Sequence, residues 1–261
     1  MKQQGLSSRT TAMCLGFVRS VLARAMSDGL IGVNPAAAVR AHDGDPGKRV
    51  PLTLDEAKRV TEQARAHRLV AAWLLTLSGL RRSEVLGLQW QDFDVESKVL
   101  SVRRSRVAVG KVDAIGSTKT RAGRRDLPLP DDLHTALKGW RSTIASELGL
   151  QAVSPERFIF VDEFGVPIRA EWYSDEWMRL CHRAGIARRV KLHEARHTSV
   201  MAMRAAGLPD RMIAAWHGHS EQVMVNTYDH AELDKEGLAQ IGKAMEALRE
   251  QSETSHREGS V

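Results

Sequence analysis

The sequence predicts a mainly α-helical protein with a small antiparallel β-sheet, an α+β chain in two parts. Three observations carry this expectation. Apolar residues recur at helical spacing before and after residues 98–130. Within that stretch Val99, Ser101, Val107 and Val109 alternate with basic residues while Gly110, Gly116 and Gly123 mark turns, which is strand texture. Finally, Asp43, Gly44, Asp45, Pro46 and Gly47 cluster between two apolar patterns, placing one linker at Ala41 to Arg49.

Taken in order, Ser8 is the expected N-cap of a helix carrying Cys14, Phe17, Val18, Val21, Leu22, Ala25 and Met26 on one stripe, with Gly29 as its stop. Asn34 and Pro35 read as the cap and first residue of a short second helix. Past the linker, Thr53 and Glu56 form a capping-box pattern, and the apolar run around Trp73 predicts a buried helix. After the sheet, helices resume with Leu133 to Leu148. From Glu171 onward the spacing is again helical, interrupted at Gly185, Gly207-Leu208-Pro209 and Gly218. Leu238, Ile241, Met245 and Leu248 form an apolar stripe, and the polar residues 251–261 predict a disordered tail. The expected organisation is a helical segment over residues 1–45, a larger domain over 50–250, and the tail.

Thirty-eight Lys and Arg against 32 Asp and Glu give a formal charge of +6, which suits a polyanionic partner such as nucleic acid and equally suits an ordinary basic enzyme. Cys14 and Cys181 stand apart from any second cysteine at ligand spacing, so neither a disulfide framework nor a Cys-based zinc site is expected. The longest apolar stretch, Leu69 to Leu77, is far shorter than the roughly 20 residues of a membrane span, and the N-terminus has no apolar signal core. The expected location is the cytoplasm, with no membrane partner.

Phosphodiester transfer by a side chain needs a hydroxyl nucleophile, a proton acceptor, an acid for the leaving oxygen, and fixed cations around the charge-rich transition state. Candidates for each are present. Arg81 lies in Ser78-Gly79-Leu80-Arg81-Arg82-Ser83-Glu84, where Gly79 would end the preceding helix and Glu84 could orient the guanidinium one turn back. Lys119 lies between two threonines beside Arg121, Arg124 and Arg125, in an expected hairpin of the sheet. His193 and Arg196 are three apart in His193-Glu194-Ala195-Arg196-His197 and share a helical face, and His219 and Tyr228 follow.

Together these segments resemble the tyrosine recombinase, or phage integrase, family. In that family an Arg in Gly-x-Arg-x-x-Glu, a Lys in a β-hairpin, a His-x-x-Arg, a Gly-His and a Tyr nine residues further occur in that order. Arg81, Lys119, His193, Arg196, His219 and Tyr228 match position by position over residues 50–235 or so. Each motif is weak alone, and the order and spacing of six make the signal. Two positions depart from the pattern: Ala195 and His217 stand where leucine is commoner.

The resemblance implies the tyrosine-recombinase catalytic fold, preceded by part of a helical core-binding domain. Residues Leu6 to Val39 resemble only the closing helices of that DNA clamp, so the chain is expected to begin partway through it. It implies a site-specific recombinase or integrase acting on double-stranded DNA, assembled as a tetramer, with host DNA-bending or directionality factors as further partners. Tyr228 would attack the scissile phosphate to give a 3′-phosphotyrosyl bond and a free 5′-hydroxyl, conserving bond energy without a metal or nucleotide cofactor. Arg81 and Arg196 would hold nonbridging oxygens and His219 would add a donor. Lys119 is the implied general acid, His193 the base and Glu84 a support, with Arg121, Arg124 and Arg125 on the DNA.

Two other readings remain open at this stage. His193-Glu194-Ala195-Arg196-His197 also fits His-Glu-x-x-His, the helical zinc-protease motif. Against it, Met203 occupies the position of a third ligand six residues on, and a fixed guanidinium inside the motif opposes a cation. A DNA-binding relative that keeps the fold without catalysis is the third reading.

Overall fold

The computed structural model describes residues 7–40, 50–109, 112–117 and 123–218, and the chain forms two compact units, Met1–Val50 and Pro51–Val261. In the first unit, α1 spans Ser8–Ser27. Its cap is Ser7, one residue before the expected Ser8, with the hydroxyl accepting from the Thr10 amide at 3.2 Å. Gly29, at φ 73°, lets the chain turn away after α1 ends. The short helix expected at Asn34-Pro35 is a turn instead. The Asn34 carboxamide accepts from the Ala36 amide at 3.0 Å and donates to the Arg19 carbonyl at 3.0 Å, while Arg19 Nε donates to the Ala36 carbonyl at 2.9 Å. A side chain that takes the backbone's bonds in this way favours a turn over helix propagation.

The second unit begins with α2 (Leu54–Arg65), whose capping box is as expected: Thr53 accepts from the Glu56 amide at 3.2 Å and Glu56 from the Thr53 amide at 2.8 Å. Helix α3 (Val70–Leu77) is buried on every side, and the single turn α4 (Arg82–Val85) follows. The one expected sheet is two. Strands β1 (Phe93–Asp94), β2 (Val99–Val102) and β5 (Arg125–Pro128) form an antiparallel sheet in the order β1-β2-β5. Strands β3 (Arg104–Val109) and β4 (Val112–Ser117) form a separate ribbon, with Arg104 opposite Ser117 and Val109 opposite Val112. Gly116, expected at a turn, lies within β4 opposite Ser105; Gly110 is outside the described residues.

Helix α5 (Asp131–Leu148) starts two residues before the expected Leu133, because Asp131 and Asp132 complement the positive end of its dipole. Helices α6 (Ala170–Arg183), α7 (Leu192–Ala205) and α8 (Asp210–His217) complete the described residues. Among the described residues no helix is long and apolar enough to cross a membrane. The predicted interruptions at Gly185, Gly207 and Gly218 all have positive φ. The segments carrying the apolar stripe at 238–248 and the polar tail at 251–261 lie outside the described residues.

Tryptophans fill the core with their rings, and those of Trp140, Trp177 and Trp216 also tie elements together through the indole N–H. Trp73 of α3 stacks on Tyr173 of α6, with centroids 4.3 Å apart, and Trp177 packs beside them. Trp177 donates to the Val190 carbonyl at 3.0 Å, and Trp216 of α8 donates to the Ser78 carbonyl at 2.8 Å. The second of these bonds brings the end of α8 against the end of α3. There Gly79, at φ +93°, lets the chain reverse, and a Cβ on it would stand 2.6 Å from Cδ2 of the His217 ring and 3.0 Å from the Ser199 hydroxyl. His217 is fully buried, its Nδ1 paired with the Ile213 carbonyl at 2.7 Å and its Nε2 with Ser199 at 3.2 Å.

Gly79→Ala is therefore expected to destabilise the protein by about 2 kcal/mol or more, through left-handed strain and displacement of the His217 ring. Urea unfolding checks this, and a loss within about 0.5 kcal/mol, the range of an ordinary surface substitution, would contradict it.

Candidate phosphate site

The helices that carry Glu84 and Arg196 start by the same local device. In α4, Glu84 is the third residue, and its carboxylate turns back to accept the Arg81 amide at 3.0 Å. In α7, Glu194 likewise accepts the Lys191 amide at 2.6 Å. Each carboxylate satisfies an N–H that a helix start leaves without a partner. Glu84 does more, because its Oε1 also accepts from Arg81 Nη1 at 2.7 Å and so fixes both the backbone and the side chain of that residue.

The guanidiniums meet at the C-terminal end of α8. Arg81 Nη2 donates to the Gly218 carbonyl at 3.1 Å. Arg196 Nη2 donates to the His217 carbonyl and its Nη1 to the Gly79 carbonyl at 2.8 Å. Arg125 Nε donates to the Trp216 carbonyl at 2.6 Å. Three successive carbonyls at the negative end of a helix are thus each held by a different arginine. Against these three guanidiniums stands the Glu84 carboxylate, leaving a net charge of +2 among the four side chains. Such a cluster suits a phosphate, since planar guanidiniums offer paired donors to its oxygens.

Burial shapes the charges. Burial alone would push the Glu84 carboxyl up, but the charge and hydrogen bonds of Arg125, with the amide and charge of Arg81, hold it below its ordinary value. Burial, then the like charges of Arg81 and Arg125, lower Arg196 to about 9 against the opposing pull of Glu84, so it stays protonated near neutrality. Arg196 is 3% exposed and Arg81's side chain 39%, so Arg81 is the member of the pair most open to solvent.

Of the residues expected in the site, Arg81, Glu84 and Arg196 come together. His193 shares α7 with Arg196 but is exposed and lies edge-on to His197, with ring centroids 4.8 Å apart. Lys119, Arg121, His219 and Tyr228 lie outside the described residues. The residue before His219, Gly218, takes a left-handed conformation at φ 60° while its carbonyl is bound by Arg81, so the chain leading into His219 is fixed at two points. Tyr173, the other tyrosine, is unavailable as a nucleophile: burial raises its hydroxyl pKa, and the group is bonded to Thr76 at 2.6 Å and to the Ala72 carbonyl at 2.9 Å.

One expectation changes and one alternative loses its support. Arg124 is exposed, whereas Arg125, expected on DNA from a hairpin, turns its guanidinium inward to Glu84 and Trp216 from the first position of β5. The signal was present in the alternation: Arg125 shares a strand face with Leu127, which is buried, while Arg124 and Asp126 face out. The zinc-protease alternative is not supported. The carboxylate of Glu194 is spent on the start of its own helix, and among the described residues no cluster of three His, Cys, Asp or Glu includes the His193–His197 pair.

The described fold is mainly helical with a basic cluster at the end of α8, and comparison with known proteins gives its family. Residues 48–235 match the family model described as the phage integrase family, and the chain belongs to that family. It is 30% identical over 251 residues to a XerC-like tyrosine recombinase of Caldanaerobacter subterraneus subsp. tengcongensis, covering 87% of this chain and 64% of the relative. It is 28% identical to the prophage integrase IntR of Escherichia coli, covering 85% of this chain and 57% of that one. The chain thus spans less than two thirds of the length of either relative. Its fold is that of the Tn1549 transposon integrase solved with circular intermediate DNA (TM-score 0.73, 24% identity, 90% of this chain and 79% of that one). A lambda integrase dimer bound to a core site shares it more distantly (TM-score 0.56, 19% identity, 85% and 75%).

Glu84→Gln removes the carboxylate of this cluster, which pairs with the guanidiniums of Arg81 and Arg125, and breaking a buried pair of this kind costs about 3 kcal/mol or more. The carboxyl is held below its unfolded value of 4.5, so its contribution is complete above that pH and is lost as pH falls through the folded value. Melting temperatures of wild type and variant are therefore expected to differ widely at neutral pH and to converge below pH 4.5. A difference that stays constant down to pH 3 would show that the Glu84 charge is not what holds the arginines.

Proposed function

We propose that the chain is a site-specific DNA recombinase or integrase that cleaves and rejoins double-stranded DNA through a phosphotyrosine at Tyr228. The convergence of Arg81 and Arg196 on the carbonyls of Gly218 and His217 supports this reading best, because it fixes two charged donors at residues that the sequence follows with a histidine and, nine positions on, a tyrosine. Family membership supports it as well.

In this mechanism the Tyr228 oxygen attacks the scissile phosphorus, and the bond to the 5′-oxygen breaks. Arg81 and Arg196 hold the nonbridging oxygens as charge develops on them, and His219 adds a donor. His193 takes the tyrosine proton and Lys119 gives one to the leaving 5′-oxygen. Reversal by a 5′-hydroxyl from a partner duplex completes strand transfer without a metal or nucleotide cofactor. Arg121 and Arg124 contact the DNA backbone. Residues 1–45 act as part of a helical clamp on the duplex, and the apolar stripe at 238–248 docks on a neighbouring copy in a tetramer on DNA. A lambda integrase tetramer solved on a Holliday junction supports that assembly by analogy. Host DNA-bending or directionality factors would act on this assembly, and its setting is the cytoplasm.

Tyr228→Phe is expected to abolish the covalent adduct on a nicked suicide substrate while leaving DNA affinity nearly unchanged, since one hydroxyl carries the nucleophile and little of the phosphate contact. Chelator should leave wild-type adduct formation intact. Gel detection of the adduct, with peptide mapping, checks both. An adduct in the Phe variant sinks the nucleophile assignment, and failure of the wild type to form one on any family attachment site would favour a catalytically silent DNA-binding relative.

A further inference from the structure

Arg125 is the arginine of the cluster that the proposed chemistry leaves without a task, yet it is the most thoroughly bonded. Its side chain is 8% exposed and faces Glu84, itself 2% exposed. Nε donates to the Trp216 carbonyl at 2.6 Å, Nη2 to Glu84 Oε2 at 2.9 Å, and Nη1 to Glu84 Oε1 at 3.3 Å and the Gly123 carbonyl at 3.2 Å. A guanidinium has five N–H donors, so these bonds employ four of them across three elements. The backbone of Arg125 is equally fixed, since as the first residue of β5 it pairs with Val102 of β2.

We propose that Arg125 is a positioning residue for the transfer reaction, one that joins the end of α8 to Glu84 and so sets where Arg81 and the chain entering His219 stand. The inference rests on the recombinase reading above. Glu84 has two oxygens, and both are shared between Arg81 and Arg125. Without Arg125 the carboxylate can rotate toward Arg81 alone, and the Trp216 carbonyl loses its partner at the point where α8 must stop. Sites of this kind depend on supporting contacts, because a displacement of about 1 Å can cost on the order of 10²-fold in rate. Arg125 would act through these contacts, with its guanidinium taken up by protein acceptors.

A lysine keeps the charge but offers one compact ammonium, which cannot span Trp216, Gly123 and both Glu84 oxygens. Arg125→Lys therefore separates geometry from charge. Hydrogen exchange on the DNA-free protein gives a readout independent of catalysis. In Arg125→Lys, residues 81–84 and 212–218 are expected to lose protection while the α3 and α6 core keeps it. On a suicide substrate, adduct formation at saturating DNA is expected to fall on the order of 10²-fold in Arg125→Ala, with DNA affinity and its salt dependence unchanged. Added guanidinium ion below denaturing concentrations should restore part of the Ala variant's rate.

Unchanged exchange at 212–218 in Arg125→Lys would overturn the proposal whatever the catalytic result. So would a loss of affinity with a shallower salt slope and a normal rate once bound, which marks a direct phosphate contact. Loss of protection throughout the core would overturn it too, in favour of a general stability role. If wild type forms no adduct while the local exchange effect appears, the recombinase reading fails and the bracing of α8 by Arg125 stands.

Discussion

Everything in the site depends on how α8 ends. A helix terminus leaves carbonyls without intrahelical partners, and these carry the negative end of the dipole. In this protein the carbonyls of Trp216, His217 and Gly218 are taken by Arg125, Arg196 and Arg81, drawn from β5, α7 and the start of α4. The residues that satisfy the helix end are thus the same residues that concentrate positive charge beside it. Binding a phosphate there would require little rearrangement, because the guanidiniums are already held by acceptors that stay in place.

Gathering three like charges around a buried point is unfavourable, and Glu84 is what makes it tolerable. Its carboxylate is desolvated, which alone would favour the neutral acid, and the arginines on either side reverse that preference. Arg196 shows the other side of the balance: burial and its neighbours depress it, yet it keeps its proton near neutrality. The packing around Gly79 supports the same arrangement. Only a residue without a Cβ lets the α3 terminus approach His217 closely enough for the Gly79 carbonyl to bind Arg196.

Much of this was legible in the sequence, for reasons that differ by element. The capping box at Thr53 and the stops at Gly79, Gly185, Gly207 and Gly218 were readable because each follows from local backbone chemistry. Arg81, Glu84 and Arg196 were readable from their motif spacing. The division of the strands into a three-stranded sheet and a separate ribbon was not, since strand pairing is set by contacts distant in sequence. The turn at Asn34 escaped because its competing bonds come from Arg19, fifteen residues earlier. Arg125 groups with its basic neighbours by composition, and only the pairing of β5 with β2 turns it toward Glu84. His217, which departs from the family's usual leucine, gains its place from Ser199 and Ile213, contacts that no local pattern announces.

The central claim is that the guanidiniums holding the end of α8 also neutralise charge on the scissile phosphate. Its most direct test compares Arg81→Ala and Arg196→Ala on two suicide substrates, one with an ordinary phosphate and one with an uncharged methylphosphonate at the cleavage position. On phosphate, loss of a preorganised donor should slow adduct formation by about 10²- to 10³-fold. On methylphosphonate, which is neutral in the ground state and develops one negative charge fewer in the transition state, most of that deficit should disappear. An equal loss on both substrates would contradict the account and reduce these arginines to supports of the fold.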